Sequence, residues 1–369
     1  MLDEGRFGLI LAPTHAASLE TAIQVASRLQ KTLETPVDLG GLRLYTSLTI
    51  GFCIPTRSEA RSGAAQLAAA EAALADALGA GRAAIRAYSP GKSRTRVART
   101  GLVTEVEAAL EQGHIVPWFQ PQLSTDTGQV SGVEALARWR HPKHGLISPG
   151  AFLPAISAAG LSCRLSEIIL YHALAAQRAW DEAGLHVPTV GVNFSSEDLN
   201  DPHLFDKVQW ELDRFQLTPD RLAVEILETV ISQSENDVIT RNITRLGEFG
   251  CHIDLDDFGT GHSSLANVRR FRVNRIKIDR SFVTQIDSDR QQQQMLAAIL
   301  ELANRLRIET LAEGVESSGE HTMLAQLGCA HVQGYHIAKP LPFDDATSWL
   351  KRQAKTQTSF PGLPKQSGT

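Results

Sequence analysis

The sequence predicts an α/β protein built as a (β/α)8 barrel with a smaller, partial α/β domain ahead of it. Three observations predict the barrel. From Val116 onward, eight short apolar runs alternate with helical stretches over about 240 residues, the size and rhythm of an eight-fold barrel. The runs are nearly continuous in apolar character, as strands buried on both faces are. Polar residues recur where these runs stop: Glu134, Asn193, Glu225, Asp256, Asp257, Lys277, Glu313 and Gln333. In a closed barrel of parallel strands, such residues converge at one mouth.

In chain order, the first domain covers residues 1–90. A strand is expected from Phe7 to Ala12, a helix from Leu19 to Leu33 and a strand from Leu42 to Ile54. A second helix follows from Ala64 to Leu78, and a short strand from Arg82 to Tyr88. The first strand falls at the very start of the chain, so this domain reads as entered midway, with a parent protein that continues upstream and carries a sensor or membrane tether there. Residues 91–98 form a basic, turn-rich linker within Ser89-Pro-Gly-Lys-Ser-Arg-Thr-Arg. The second domain covers 99–352 and opens with a helix from Arg99 to Glu111.

Its strands centre on Trp118-Phe-Gln, Gly132-Val-Glu-Ala-Leu, Val190-Gly-Val-Asn, Val224-Glu-Ile, Ile253-Asp-Leu-Asp, Ile276-Lys-Ile, Glu309-Thr-Leu-Ala and His331-Val-Gln. Helices between them include Leu165 to Ala183, Asn236 to Phe249, Gln292 to Leu306 and Ser318 to Leu327. Residues 353–369, rich in Lys, Gln, Ser, Pro and Gly, are expected to be a flexible tail.

Composition narrows the function classes. The net charge of −5 supplies no electrostatic attraction for long nucleic acid, while leaving a small nucleotide open. Nothing resembles a signal peptide, and no run is apolar for long enough to cross a bilayer. Even the Ala-rich stretch at 64–80 is broken by Gln66, Glu71 and Asp76. Cys53, Cys163, Cys251 and Cys329 form no C-x-x-C pair and read as reduced thiols of a cytoplasmic protein.

Five carboxylates gathered without matching cations repel one another, and a divalent cation is the usual remedy. An all-oxygen set (Glu134, Asn193, Glu225, Asp256, Asp257, Glu313) suits Mg²⁺ or Mn²⁺. Neighbours on a regular strand face opposite sides; at a strand end the chain can bend, so Asp256 and Asp257 can serve two ions. Paired ions are a common device for phosphodiester hydrolysis. Lys277 is placed to position a water or neutralise a phosphate oxygen. Asp257-Phe-Gly-Thr-Gly-His-Ser-Ser is a glycine-bearing loop that can gate the site. Taken singly, an acid at a strand end can merely cap a helix; the ordered set points to chemistry. The histidines show no zinc spacing and read as surface or supporting residues. Trp118, Trp139 and Trp180 read as core or pocket wall, with Trp139 of interest beside Arg138.

The segment Glu134-Ala-Leu-Ala-Arg-Trp-Arg-His-Pro resembles the signature of EAL-domain cyclic di-GMP phosphodiesterases. Asn193-Phe-Ser, Glu225-Ile-Leu-Glu, Asp256-Asp-Phe-Gly-Thr-Gly, Lys277-Ile-Asp, Glu313-Gly-Val-Glu and Gln333-Gly-Tyr match that family in order and approximate spacing over about residues 100–352. The resemblance implies a TIM-like barrel that hydrolyses cyclic di-GMP to linear pGpG with two ions of Mg²⁺ or Mn²⁺. It implies that Glu134, Asn193, Glu225 and Asp256 hold one ion. Asp256, Asp257 and Glu313 would hold the second. Lys277 would orient the attacking water with help from Asp279, and Glu228 would shape the Asp-Phe-Gly-Thr-Gly loop. Arg138 would grip a phosphate, with Gln120, Leu136, Asn193 and Gln333 lining the substrate pocket. His262 and Phe194 depart from the family's usual residues, and neither is a ligand.

The first domain resembles the later half of a degenerate GGDEF (diguanylate cyclase) domain. Its signature loop would be Asp3-Glu-Gly-Arg-Phe7, followed by Thr46-Ser-Leu-Thr-Ile-Gly. The strand that would bring the first cyclase metal ligand is absent from the sequence, so no cyclase activity is expected. By analogy, a homodimer is expected through helices beside the loop, at Ser263-Ser-Leu-Ala-Asn-Val. The rival reading is a non-catalytic cyclic di-GMP receptor that signals to a partner protein, and a third is a hydrolase of another phosphodiester.

Overall fold

The computed structural model describes residues 7–11, 19–33, 37–39, 42–44, 47–54, 62–79, 84–88, 102–230, 238–259 and 270–358. The chain divides into two compact units, Met1–Thr104 and Glu105–Thr369. The division falls inside a helix at 102–111, α3; the linker expected at 91–98 lies outside the described residues.

The first unit contains α1 (Leu19–Leu33), β1 (Val37–Leu39), β2 (Leu42–Leu44), β3 (Ile50–Phe52), α2 (Gly63–Gly79) and β4 (Ile85–Ala87). The antiparallel pair β1–β2 and the parallel pair β3–β4 are separate two-stranded sheets. Ala69, Ala73 and Ala77 repeat every four residues on α2 and are all buried, which puts one small-residue stripe against β3. The approach is close: a Cβ on Gly51 would lie 1.9 Å from the Leu74 amide nitrogen. Two expectations are corrected. Residues 7–11 join no strand, and Phe7, Leu9 and Ile10 face solvent. The strand expected from Leu42 to Ile54 is two strands in different sheets.

The second unit is the barrel. Its elements are β5 (Ile115–Ser124), β6 (Val130–His141), β7 (Gly145–Ile147), α4 (Pro149–Ala158), α5 (Ser162–Glu182), β8 (Val190–Phe194), α6 (Ser196–Leu199) and α7 (Leu204–Phe215). They continue through β9 (Leu222–Leu227), α8 (Val238–Phe249), β10 (His252–Phe258), β11 (Arg275–Ile278), α9 (Arg280–Val283), α10 (Arg290–Leu306), β12 (Glu309–Ala312), α11 (Ser318–Leu327), β13 (His331–Gln333) and α12 (Phe343–Thr358). Strand order is β5-β6-β8-β9-β10-β11-β12-β13, closed by the β13–β5 pairing, with β7 hairpinned onto β6. The (β/α)8 barrel expected from the sequence is therefore present.

One strand departs from the all-parallel expectation. β5 runs antiparallel to both β6 and β13. The five residues between Ser124 and Val130 explain this, because a parallel crossover needs a dozen or more. Gly128, at φ +66°, turns the hairpin, and its amide bonds Ser124 O at 2.9 Å.

Alternation along the strands builds two environments. Val192, Val224, Ile226, Ile253, Leu255, Ile276 and Ile278 are buried, as are Leu174, Ile243, Leu246, Leu296 and Leu300 of the helices. Each such side chain removed from water contributes about 1.5–3 kcal/mol before entropy is counted. The intervening strand positions point inward and carry the polar residues. Capping boxes start two helices: Ser195 with Asp198 on α6, and Ser317 with Glu320 on α11. The barrel does not end at Arg352. α12 runs on to Thr358 and is anchored by Phe343 stacked on Trp180 and by Trp180 Nε1 donating to Thr347 Oγ1 at 2.8 Å.

Candidate active site

Each barrel strand or its exit delivers one polar residue to a common ring. Lys277 stands at its centre, from the middle of β11, with no solvent exposure. Its ammonium lies 2.8 Å from Glu225 Oε2, 2.8 Å from Glu313 Oε1, 3.2 Å from Asp256 Oδ1 and 3.4 Å from Glu134 Oε1. Asn193 Nδ2 joins two of these acids, donating to Glu134 Oε1 at 2.9 Å and Glu225 Oε2 at 3.2 Å. Gln333 Nε2 donates to Glu134 Oε2 and to Gln120 Oε1. Bonds between side chains of different strands can meet this way only across the barrel interior.

Asp257 enters this ring by a backbone device. It adopts φ +54°, in the left-handed region that non-glycine residues avoid. The β10–β11 register shifts between Leu255 and Phe258 at the same place. The bulge turns Asp257 toward the side that Asp256 faces, and oxygens of Asp256, Asp257 and Glu313 lie within 4.8 Å of one another.

The electrostatics follow from crowding. Burial alone would raise the Glu134 carboxyl, but the Lys277 charge and the amide donors of Gln333 and Asn193 outweigh it and hold it below its ordinary value. Burial and the Glu134 charge push Glu225 well above the carboxylate range. Burial, helped by Asp256 and Glu134, pushes Glu313 up to about 8. Burial and Asp256 also raise Asp257. Burial disfavours a charged Lys277, yet the surrounding acids win and keep it protonated well above its ordinary range.

The donor set fits a hard divalent cation. All available ligand atoms are oxygens, and Glu225 Oε1 is buried without a hydrogen-bond partner. Gly191 makes room for that atom: a Cβ there would sit 2.0 Å from it.

Part of the ring opens on a cavity of about 270 Å³ lined by Gln120, Glu134, Leu136, Asp256, Glu313 and Gln333. Arg280, Gly314, Glu316, Gly334 and Tyr335 complete the wall. Those five lie inside or beside the sequence motifs but received no role from them. Arg280 pairs with Glu316 at 2.9 Å and lies over Gly314, whose φ of +68° and missing Cβ admit it. Glu228 accepts a hydrogen bond from the Gly259 amide at 2.9 Å, at the start of the glycine loop. Residues 260–269, including His262 and the expected dimer segment from Ser263, lie outside the described residues.

Arg138 and Asp279 are not among the residues that line the cavity. Arg138 donates to Ala137 O at 2.9 Å, and burial lowers its pKa. Asp279 caps α9 through Ser281 N at 2.9 Å. Trp139 is core, edge-on to Phe152 at 5.9 Å.

The curated protein MucR of Pseudomonas aeruginosa, a bifunctional diguanylate cyclase/cyclic di-GMP phosphodiesterase, is 31% identical over 322 residues, covering 87% of this chain and 47% of its own length. The cyclic di-GMP phosphodiesterase PdeR of Escherichia coli is 31% identical over 350 residues, covering 95% of this chain and 52% of its own. The chain thus spans about half the length of these curated relatives. The solved PaMucR phosphodiesterase in complex with c-di-GMP superposes with a TM-score of 0.63 at 34% identity, covering 67% of this chain and 99% of that one. Among the described residues, no helix is long and apolar enough to cross a membrane. The EAL domain model matches residues 103–340, the span that builds the closed barrel and its polar ring, and by that match the chain belongs to the EAL-domain family.

Proposed function

We propose that the barrel hydrolyses cyclic di-GMP to linear pGpG using two divalent cations, Mg²⁺ or Mn²⁺. One observation carries the reading: a fully buried lysine within 3.4 Å of four carboxylates, three of which (Glu134, Asp256 and Glu313) line an open cavity. With Asp257, five carboxylates face one ammonium. Four negative charges are left over when all are ionised, the charge that two divalent cations neutralise. The identity of the substrate rests on relatives described as acting on or binding cyclic di-GMP.

Bound cations would activate a water and stabilise charge on the phosphoryl oxygens. The protein's own part is positioning and charge. Lys277, with Gln333 and Asn193, holds Glu134 ionised; Asp256, Asp257 and Glu313 offer oxygens on one side of the ring; Glu134, Asn193 and Glu225 offer them on the other. Lys277 supplies a fixed positive charge where negative charge develops as water adds to phosphorus and one P–O bond opens. Leu136, Gln120 and Tyr335 line the cavity for the nucleotide.

The test is chromatography of product from the purified chain with cyclic di-GMP and Mn²⁺. The parent is expected to release pGpG, and Glu134→Ala to fall by about 100-fold or more. Equal rates for the two proteins overturn the assignment. Cyclic di-GMP binding without pGpG would assign a receptor instead.

We also infer that residues 1–90 are a degenerate cyclase remnant. The MucR alignment runs over 322 residues, beyond the 103–340 match of the barrel family. Incubation with GTP is expected to yield no cyclic di-GMP, and any synthesis would contradict a degenerate domain.

A further inference from the structure

Below the ring of acids lies a second buried polar cluster that the proposed chemistry leaves unused. Arg275 Nε donates to Asp254 Oδ2 at 2.8 Å, and Arg275 Nη2 bonds the same oxygen. Arg275 Nη1 donates to Gln122 Oε1 at 3.1 Å. Gln122 Nε2 then donates to Gln333 Oε1 at 2.8 Å. Gln333 Nε2 donates upward to Glu134 and to Gln120 Oε1, and Gln120 Nε2 donates to Ala338 O at 3.0 Å. All six side chains from Asp254 to Glu134 are buried.

The two ends of this chain of amides have fixed polarity. A guanidinium has only donors, and a backbone carbonyl only accepts. Arg275 therefore forces Gln122 to turn its oxygen down and its nitrogen toward Gln333. The Ala338 carbonyl forces Gln120 to turn its oxygen toward Gln333. Between them, Gln333 has a single orientation that satisfies every atom, with its NH₂ group against the Glu134 carboxylate. The opposite orientation would set Gln333 Oε1 against a carboxylate oxygen. The backbone is fitted to this arrangement: a Cβ on Gly132 would lie 2.9 Å from Gln122 Oε1. A buried ion pair is weak support for stability, since apolar residues can often replace one at no loss. Orientation of neighbouring groups is a use that an apolar replacement could not serve.

We propose that Gln122 and Arg275 are positioning residues, which orient the Gln333 amide and through it hold the Glu134 carboxylate in place as a ligand. The inference rests on the reading of Glu134 as a metal ligand, and its test separates the two. The decisive variant is Gln122→Glu. A carboxylate at 122 still pairs with Arg275, so the charge below is satisfied. It has no hydrogen to give Gln333 Oε1, and the Gln333 amide must turn over.

Two measurements on the full chain are needed. In EDTA, the Gln333 side-chain NH₂ resonance, assigned by its loss in Gln333→Leu, is expected to shift in Gln122→Glu while the melting temperature stays near the parent's. With Mn²⁺ alone as ligand, calorimetry is expected to show about tenfold or greater weakening, the scale of losing a ligand's outer partner. Arg275→Lys, which keeps the cation but not the fork, is expected to weaken Mn²⁺ less than Gln122→Glu and serves if the first variant fails to fold. An unmoved amide resonance, or parent-like Mn²⁺ affinity in both variants, overturns the proposal. A parent that binds no Mn²⁺ overturns the metal-site reading, whatever the resonance does.

Discussion

At Lys277, one residue decides whether the acidic ring can exist without ions. It is the one cation within 3.4 Å of Glu134, Glu225, Asp256 and Glu313 among the described contacts. Removing one partner from a buried charge cluster leaves the others uncompensated. Lys277→Met is expected to lower the melting temperature in EDTA, with much of the loss restored by Mn²⁺, whose charge substitutes for the ammonium. Hydrolysis of cyclic di-GMP should stay down by about 100-fold or more even when metal restores stability. A variant that melts like the parent in EDTA would show that Lys277 is not the counter-charge of the ring. Residue-level logic of this kind was largely legible in the sequence. The ring residues sit in ordered motifs, and strand alternation sends them to one side. Arg280 and Tyr335 escaped because their place on the cavity wall depends on Gly314 and Gly334 letting other groups come close, which no residue type announces. Asp254, Gln122 and Arg275 escaped because a single polar residue in an apolar run says nothing about its partner on another strand.

At the level of elements, the strands were easier to foresee than their directions. Apolar runs mark β8 to β13 because both their faces are covered. β5 and β6 carry the same signal, and only the short Thr125–Gln129 connection reveals that they form a hairpin. The strand expected at residues 7–12 failed for the complementary reason: residues 7–11 have apolar content but, among the described residues, no neighbouring strand to bond. Helix α12 was not foreseen, and the domain end was set at Arg352, because a Lys- and Gln-rich composition reads as tail, while Phe343, Trp180 and Thr347 hold the helix to the barrel. Trp180 is fully buried, edge-on to Phe119 at 5.1 Å and stacked on Phe343 at 5.6 Å. Trp180→Ala is expected to cost about 3–5 kcal/mol in urea unfolding of the barrel. A loss under about 1 kcal/mol would mean that α12 is held by other contacts.

For the molecule as a whole, the raised carboxyl pKa values set a pH response. Glu225, Glu313 and Asp257 hold protons in the fold at pH values where an unfolded chain has released them. The folded state then binds more protons, so stability falls as pH rises from the ordinary carboxylate range toward about 8. Metal-free protein is expected to melt lower at pH 8 than at pH 5.5. Mn²⁺ should reverse the trend, because ligation displaces those protons and binding tightens as they leave. Melting curves in EDTA and in Mn²⁺ across that window check both signs, and a flat metal-free profile would contradict the crowding of acids. The reversed β5 has its own outcome at this scale. Chains normally enter an eight-fold barrel through the floor, because every strand climbs toward the catalytic end. Here the descent of β5 puts the covalent doorway at the top: Ile115 pairs with Trp139 near the upper end of β6, and Glu105 of the preceding helix grips His141 at 2.6 Å. The polypeptide ahead of Ile115 therefore joins the barrel at the rim above the ring.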